Sequence, residues 1–135
     1  MINLPSQCLN LFQGHTALVC QMQFSTDEST LCTGGSDGRI ITFSLDTKQT
    51  LRRIAAHDSS VTALQFDQHF IVTGGNDGRV KLFDTPTGNY IRDLTAHAEA
   101  VWKVAFRNGK CTITCRRAGK TVVEIWSFRP SEDDD

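Results

Sequence analysis

The chain has 135 residues, 39% of them hydrophobic and 21% charged, which suits one domain and excludes a disordered tail. Fourteen Lys and Arg against fifteen Asp and Glu leave a formal charge of −1. Four of those acids are Glu132, Asp133, Asp134 and Asp135, so residues 1–131 carry +3, too weak a bias to announce nucleic acid as a partner.

The apolar stretches run only a few residues, which rules out a spanning helix and gives no reason to expect a membrane partner. Residues 1–7 lack the basic and apolar regions of a signal peptide. The five cysteines (Cys8, Cys20, Cys32, Cys111, Cys115) are an odd number, which favours reduced thiols and an intracellular location, in nucleus or cytoplasm.

In chain order, residues 1–6 read as an extension and residues 8–12 as a strand, because they align with residues 90–94. The apolar triplet Val19-x-x-Met22-x-Phe24 follows, and it returns as Val61-x-x-Leu64-x-Phe66 and Val101-x-x-Val104-x-Phe106. The heptapeptide Thr33-Gly34-Gly35-Ser36-Asp37-Gly38-Arg39 returns as Thr73-Gly74-Gly75-Asn76-Asp77-Gly78-Arg79 with one change. His15, His57 and His97 keep the same register, spaced by 42 and 40 residues. Self-similarity at such a period marks a repeat architecture.

Each period predicts short strands. Val61–Phe66 is β-branched and aromatic, 70–73 is a second apolar run, 79–83 alternates polar with apolar, and 90–94 makes a fourth strand. Turn formers separate them: Asp67-Gln68, then 74–78, then Pro86-Thr87-Gly88-Asn89. In the third period Asn108-Gly109 predicts a type I′ hairpin, and 122–128 is its third strand. The expected fold is all-β, with four short strands per unit. Twelve strands make about three units, at 7–46, 49–86 and 89–128, followed by an acidic tail at 129–135.

This pattern resembles the WD repeat of β-propellers. The Gly-His pair stands once, as Gly14-His15, and is Ala56-His57 and Ala96-His97 later; the Trp-Asp pair reads Phe43-Ser44, Phe83-Asp84 and Trp126-Ser127. The resemblance implies an internal hydrogen-bond set in each unit: His15, Thr33 and Asp37; His57, Thr73 and Asp77; His97, Thr114 and Trp126. Each set is one member short. These residues are expected to be structural, since buried ring nitrogens need partners. Three units make an incomplete ring, to be completed by further blades of a longer chain or by association of copies.

The catalytic alternatives fail on geometry. His57-Asp58-Ser59 has the residue types of a triad, but neighbours on one loop cannot nest as a triad must. Cys111-x-x-x-Cys115 places both thiols on one face of a strand, too far apart for a disulfide or a shared zinc. The glycine-rich turns open no helix and follow no phosphate-binding pattern. No enzyme, metal or cofactor is expected.

Unit three departs from its siblings. Arg116-Arg117 stands where they have Ser36 and Asn76 before the turn aspartate, in a connection two or three residues longer. Trp102 replaces Cys20 and Thr62 at the start of the first strand. An Arg and a Trp at one propeller edge suit a charged ligand with an apolar part; a core Trp beside a solvated Arg pair is the alternative.

The sequences Val61–Phe66, 70–73, 77–84 and 88–94, with Val101-Trp102-Lys103-Val104 and Glu124-Ile125-Trp126-Ser127-Phe128, are similar to the final blades of F-box/WD-repeat substrate receptors of SCF ubiquitin ligases, of the cell-division-control type. That resemblance implies a protein partner, with phosphorylated peptides captured on the central face by arginines and tryptophans. Trp102 falls on a family position of that face, and Arg117, or alternatively Arg116, on a basic one. The chain carries no F-box helices, and Ser36 and Asn76 fill slots where the family has arginine. The implied role is a binding module, the C-terminal part of a phosphodegron receptor; the runner-up is a WD-repeat scaffold that does not read phosphate.

Overall fold

The computed structural model describes residues 4–127, which form eleven strands and no helix. They are β1 (Val19–Phe24), β2 (Thr30–Gly35), β3 (Arg39–Ser44), β4 (Thr50–Ala55), β5 (Val61–Phe66), β6 (Phe70–Gly75), β7 (Val80–Asp84), β8 (Tyr90–Asp93), β9 (Ala100–Arg107), β10 (Lys110–Arg117) and β11 (Lys120–Ser127). Three antiparallel meanders result: β1-β2-β3-β4, β5-β6-β7-β8, and β9-β10-β11. These are three propeller blades in an open ring.

The expected strands of the second unit are present with small shifts. The second strand runs on to Gly75, the third begins at Val80 rather than Arg79, and the fourth stops at Asp93. Asn108 and Gly109 have φ of 53° and 74°, as the two-residue hairpin requires.

The expected strand at residues 8–12 is absent. A strand needs a neighbour for its backbone groups, and this segment has no strand beside it among the described residues. It is nonetheless placed, because Phe12 packs on Phe43 with ring centroids 4.5 Å apart. The described strands therefore number eleven rather than twelve. Residues 1–3 and 128–135, and with them Phe128 and the acidic tail, lie outside the described residues.

No blade has a core of its own; the apolar side chains meet between blades. Cys32, Ile40 and Ile54 of blade one pack with Leu64, Phe66, Ile71 and Phe83 of blade two. Val72, Val80, Leu82 and Leu94 on the other side of blade two pack with Val101, Val104, Cys111, Ile113 and Cys115 of blade three. The period-2 alternation of each strand supplies one apolar set per face, so a blade needs two neighbours to cover both. Burying one such side chain is worth about 1.5–3 kcal/mol, so the two seams dominate stability.

The loop entering each blade rests on the hairpin between the second and third strands of the blade before it. Ala56 and His57 donate their backbone N–H groups to the Gly38 carbonyl, and Ala98 donates to that of Gly78. Gly38 and Gly78 have φ of 79° and 80°, and a Cβ there would collide with the His57 and Ala98 carbonyls. Glycine is required on both counts.

Candidate functional site

In blade two the expected set is formed. His57 Nε2 lies 2.7 Å from Thr73 Oγ1, and Nδ1 lies 3.0 Å from Asp77 Oδ2. A neutral ring with its proton on Nδ1 donates to the aspartate and accepts from the threonine. Burial depresses the His57 pKa below its ordinary value, against the opposing pull of Asp77. Asp77 also accepts the N–H groups of Asp58 and Arg79, so one carboxylate fixes both the incoming loop and the hairpin. Its pKa is lowered, because the nearby His57 and these donors outweigh its burial.

Blade one repeats the arrangement more loosely. His15 Nε2 is 2.6 Å from Thr33 Oγ1, while Nδ1 is 3.4 Å from Asp37. Asp58 and Asp77 thus meet through a backbone bond, and Ser59 belongs to the loop that leans on Gly38. The His57-Asp58-Ser59 run is accounted for by packing.

Blade three does not form the expected set of His97, Thr114 and Trp126. In blade two Leu64 pairs with Thr73, and in blade three Val104 pairs with Ile113. Ile113 therefore occupies the threonine's position, fully buried, and Thr114 lies one residue further on, facing the other side of the sheet. Without a hydroxyl to meet, His97 is exposed and its Nε2 lies 2.6 Å from the Asp77 carbonyl of the preceding blade. Trp126 does hold the position of Phe83, since Cys111 pairs with Trp126 as Ile71 pairs with Phe83. Its indole Nε1 donates to Glu124 Oε1 at 3.1 Å.

The same register places Arg117 two residues beyond Cys115, as Asp77 lies two beyond Gly75. Arg117 takes over the loop-anchoring task with opposite charge. Its Nε donates to Glu124 Oε2 at 2.7 Å, and its terminal nitrogens donate to Thr95 Oγ1 at 2.7 Å and to the carbonyls of Ala96 and His97 at 2.7 and 3.2 Å. Thr95 Oγ1 in turn donates to Glu124 Oε1 at 2.8 Å. Arg117 is thus engaged inside its blade. The guanidinium has enough donors to hold two carbonyls and a carboxylate at once, and that fork geometry explains the choice of residue.

The longer connection of unit three also takes a different form from a loose loop. Three residues separate Gly75 from Arg79, whereas six separate Cys115 from Val122. The surplus adds two rungs, Arg116 opposite Thr121 and Arg117 opposite Lys120, closed by Ala118 and Gly119 at φ of 50° and 71°.

Two residues of the candidate ligand set remain on the surface. Trp102 is 39% exposed, at the bulge where the β9–β10 register shifts. The corresponding Thr62 reaches the next blade, its hydroxyl 2.8 Å from the Val101 carbonyl. Arg116 pairs with Ala100 beside that bulge and makes an exposed ion pair with Glu99 at 3.2 Å.

Cys111 and Cys115 are free and buried in the seam between blades two and three. Burial pushes the Cys111 thiol up to about 11. Among the described residues no group of His, Cys, Asp and Glu is arranged to hold a metal. At the opposite end of the strands a cleft of about 370 Å³ opens between blades one and two, lined in part by Asp27, Thr42, Arg52 and Phe66.

The meanders, the inter-blade cores and the histidine-anchored loops together define a segment of a β-propeller. The model of the WD domain, G-beta repeat, matches residues 6–44 and 48–84, more than half of the chain, and the chain belongs to the WD40 family. It is similar to the B-type cell cycle switch protein ccs52B of Medicago truncatula, 26% identical over half of this chain and 14% of that protein. Protein FIZZY-RELATED 3 of Arabidopsis thaliana is 25% identical over the same shares. Among solved structures, U3-55K superposes with a TM-score of 0.74 and 25% identity, over 85% of this chain and 36% of that one. The computationally designed Ika8 protein gives 0.72 and 28%, over 84% and 34%. The chain therefore spans about a seventh of its curated relatives and a third of these structures. WD40 domains generally bind proteins and are generally non-catalytic scaffolds.

Proposed function

We propose that this chain is a protein-binding segment of a propeller that reads its partner with the loop edge around Trp102. The observation that carries this reading is the half-exposed indole at a bulge where the sibling blades place Cys20 and Thr62. Packing does not demand a Trp there. A large, rigid, half-exposed apolar surface is the kind of anchor on which interfaces concentrate binding energy.

The narrower reading is a phosphodegron receptor of the SCF type, working inside the cell. Arg116 supports it, because its guanidinium pairs with the exposed carboxylate of Glu99 and an incoming phosphate can displace a surface carboxylate. The engagement of Arg117 favours the second reading, a WD-repeat scaffold that does not read phosphate. A peptide array in phosphorylated and unphosphorylated forms, followed by titration of the hits, separates the two. Trp102→Ala should weaken every hit about tenfold or more, and Arg116→Gln only the phosphorylated ones. Equal affinity for both forms selects the scaffold; unchanged binding by Trp102→Ala overturns the proposal.

A further inference from the structure

The two outer blades are complementary to each other. Blade three has three strands, and the far edge of β11 carries no strand among the described residues. Residues 8–12 align with the fourth strand of a blade although they form none here: counted back from His15, His57 and His97, they match 50–54 and 90–94. Phe12 already holds the place of Ile54 and Leu94, facing the blade that follows it. Among the described residues, the last blade has three strands, and the first blade is preceded by a segment with the pattern of a fourth.

The sheet faces match as well. Blade two offers Val72, Val80 and Leu82 to blade three, and register assigns Thr112, Val123 and Ile125 to the same positions on the outer side of blade three. Blade three receives them on Val101, Val104 and Phe106, whose equivalents in blade one are Val19, Met22 and Phe24. Val123 and Ile125 are 68% and 73% exposed, and Met22 and Phe24 are 68% and 61% exposed. These are the two halves of a third seam of the kind the molecule already builds twice.

We propose that two copies of this 135-residue segment, on its own, close head to tail into a six-bladed ring, each giving residues 8–12 to the free edge of β11 in the other. Eleven strands and the donated one make twelve per copy, so each copy contributes three complete four-stranded blades. Closed propellers use roughly four to eight blades, and two is the number of copies that lands in that range. Both interfaces of the pair are identical, and closure leaves no blade face open and gives the free edge of β11 a partner.

The pairing register follows from the complete blades. Thr42 lies opposite Arg52, and Leu82 opposite Arg92, which sets Asn10 of one copy opposite Ile125 of the other. The proposal does not depend on what the Trp102 edge binds, so its test reads mass alone. Sedimentation of the 135-residue chain should give one species of twice 15.0 kDa. Leu11→Pro and Met22→Asp each alter a side chain exposed in the single copy, so both should yield folded monomers with unchanged circular dichroism. In a Cys8→Ser background, Asn10→Cys with Ile125→Cys should give a covalent dimer on oxidation, reversed by reductant, and neither single variant should. A monomer at every concentration reserves these faces for another partner and overturns the proposal. A ladder of trimers and longer species overturns closure, and a dimer that survives both Leu11→Pro and Met22→Asp overturns the assigned interface.

Discussion

Arg117 stands where its sibling blade has Asp77, and it anchors the same incoming loop by donating hydrogen bonds where the aspartate accepts them. The exchange reverses the whole local network. Asp77 holds a ring N–H and a backbone N–H, so the loop offers donors. Arg117 holds the carbonyls of Ala96 and His97, so the loop turns its acceptors inward and the histidine swings away.

Arg117→Ala should therefore destabilise the chain by about 1–3 kcal/mol, because Glu124 Oε2 and two loop carbonyls lose the donors that Arg117 supplies. Arg117→Lys should recover only part of the loss, since an ammonium cannot span three acceptors in a fixed fork. Urea midpoints of the three proteins decide the matter. Equal midpoints for wild type and Arg117→Ala would show that the network contributes nothing.

Asp77→Ala removes the partner of a buried ring nitrogen and of two backbone donors. The expected loss is again about 1–3 kcal/mol. The corresponding change at Asp37 should cost less, because its distance to His15 is 3.4 Å against 3.0 Å for Asp77 and His57. Chemical denaturation of the two variants checks the ranking.

Stability should fall on mild acidification. The folded His57 pKa lies below the ordinary 6.5, so the unfolded chain binds the proton more readily. Its contribution is complete above pH 6.5 and is lost as the pH falls toward the folded value. The Asp77 pKa lies below 3.8, so the aspartate's share is lost only under stronger acid, through its own folded value. Melting temperatures between pH 8 and 5 should drop for wild type and change less for His57→Gln.

The positive-φ glycines should divide sharply. Gly78→Ala meets both the left-handed backbone and the Ala98 carbonyl, and should cost more than about 3 kcal/mol. Gly119 has φ of 71° but nothing within 4 Å, so Gly119→Ala carries the backbone term alone, about 1–2 kcal/mol. A thermal melt of each, with the two losses compared, tests the distinction.

The sequence made the repeats legible because identical turns and triplets recur in one register, and turn chemistry is local. Val61–Phe66 needed no correction for that reason. Residues 8–12 have the pattern of a strand but no neighbouring strand among the described residues, and a neighbour is the part of a strand that no single segment encodes. Thr114 was misassigned by one position because side chains alternate, so a one-residue error in alignment moves a hydroxyl to the wrong face. The Arg117 network was hidden for a different reason. Its partners Thr95 and Glu124 lie 22 and 7 residues away, and no spacing rule links them. One signal was available: Glu124 breaks the apolar run of its strand on the face that packs inward.

The buried thiols give the molecule its own record of how it comes apart. Cys32 lies in the first seam, Cys111 and Cys115 in the second, and burial raises the first two to about 12 and 11. At neutral pH they are protonated and shielded, whereas Cys8 is exposed. A thiol reagent added to the native protein therefore marks Cys8 at once and each inner cysteine only when its seam opens. The order in which the marks accumulate tells which pair of blades parts first.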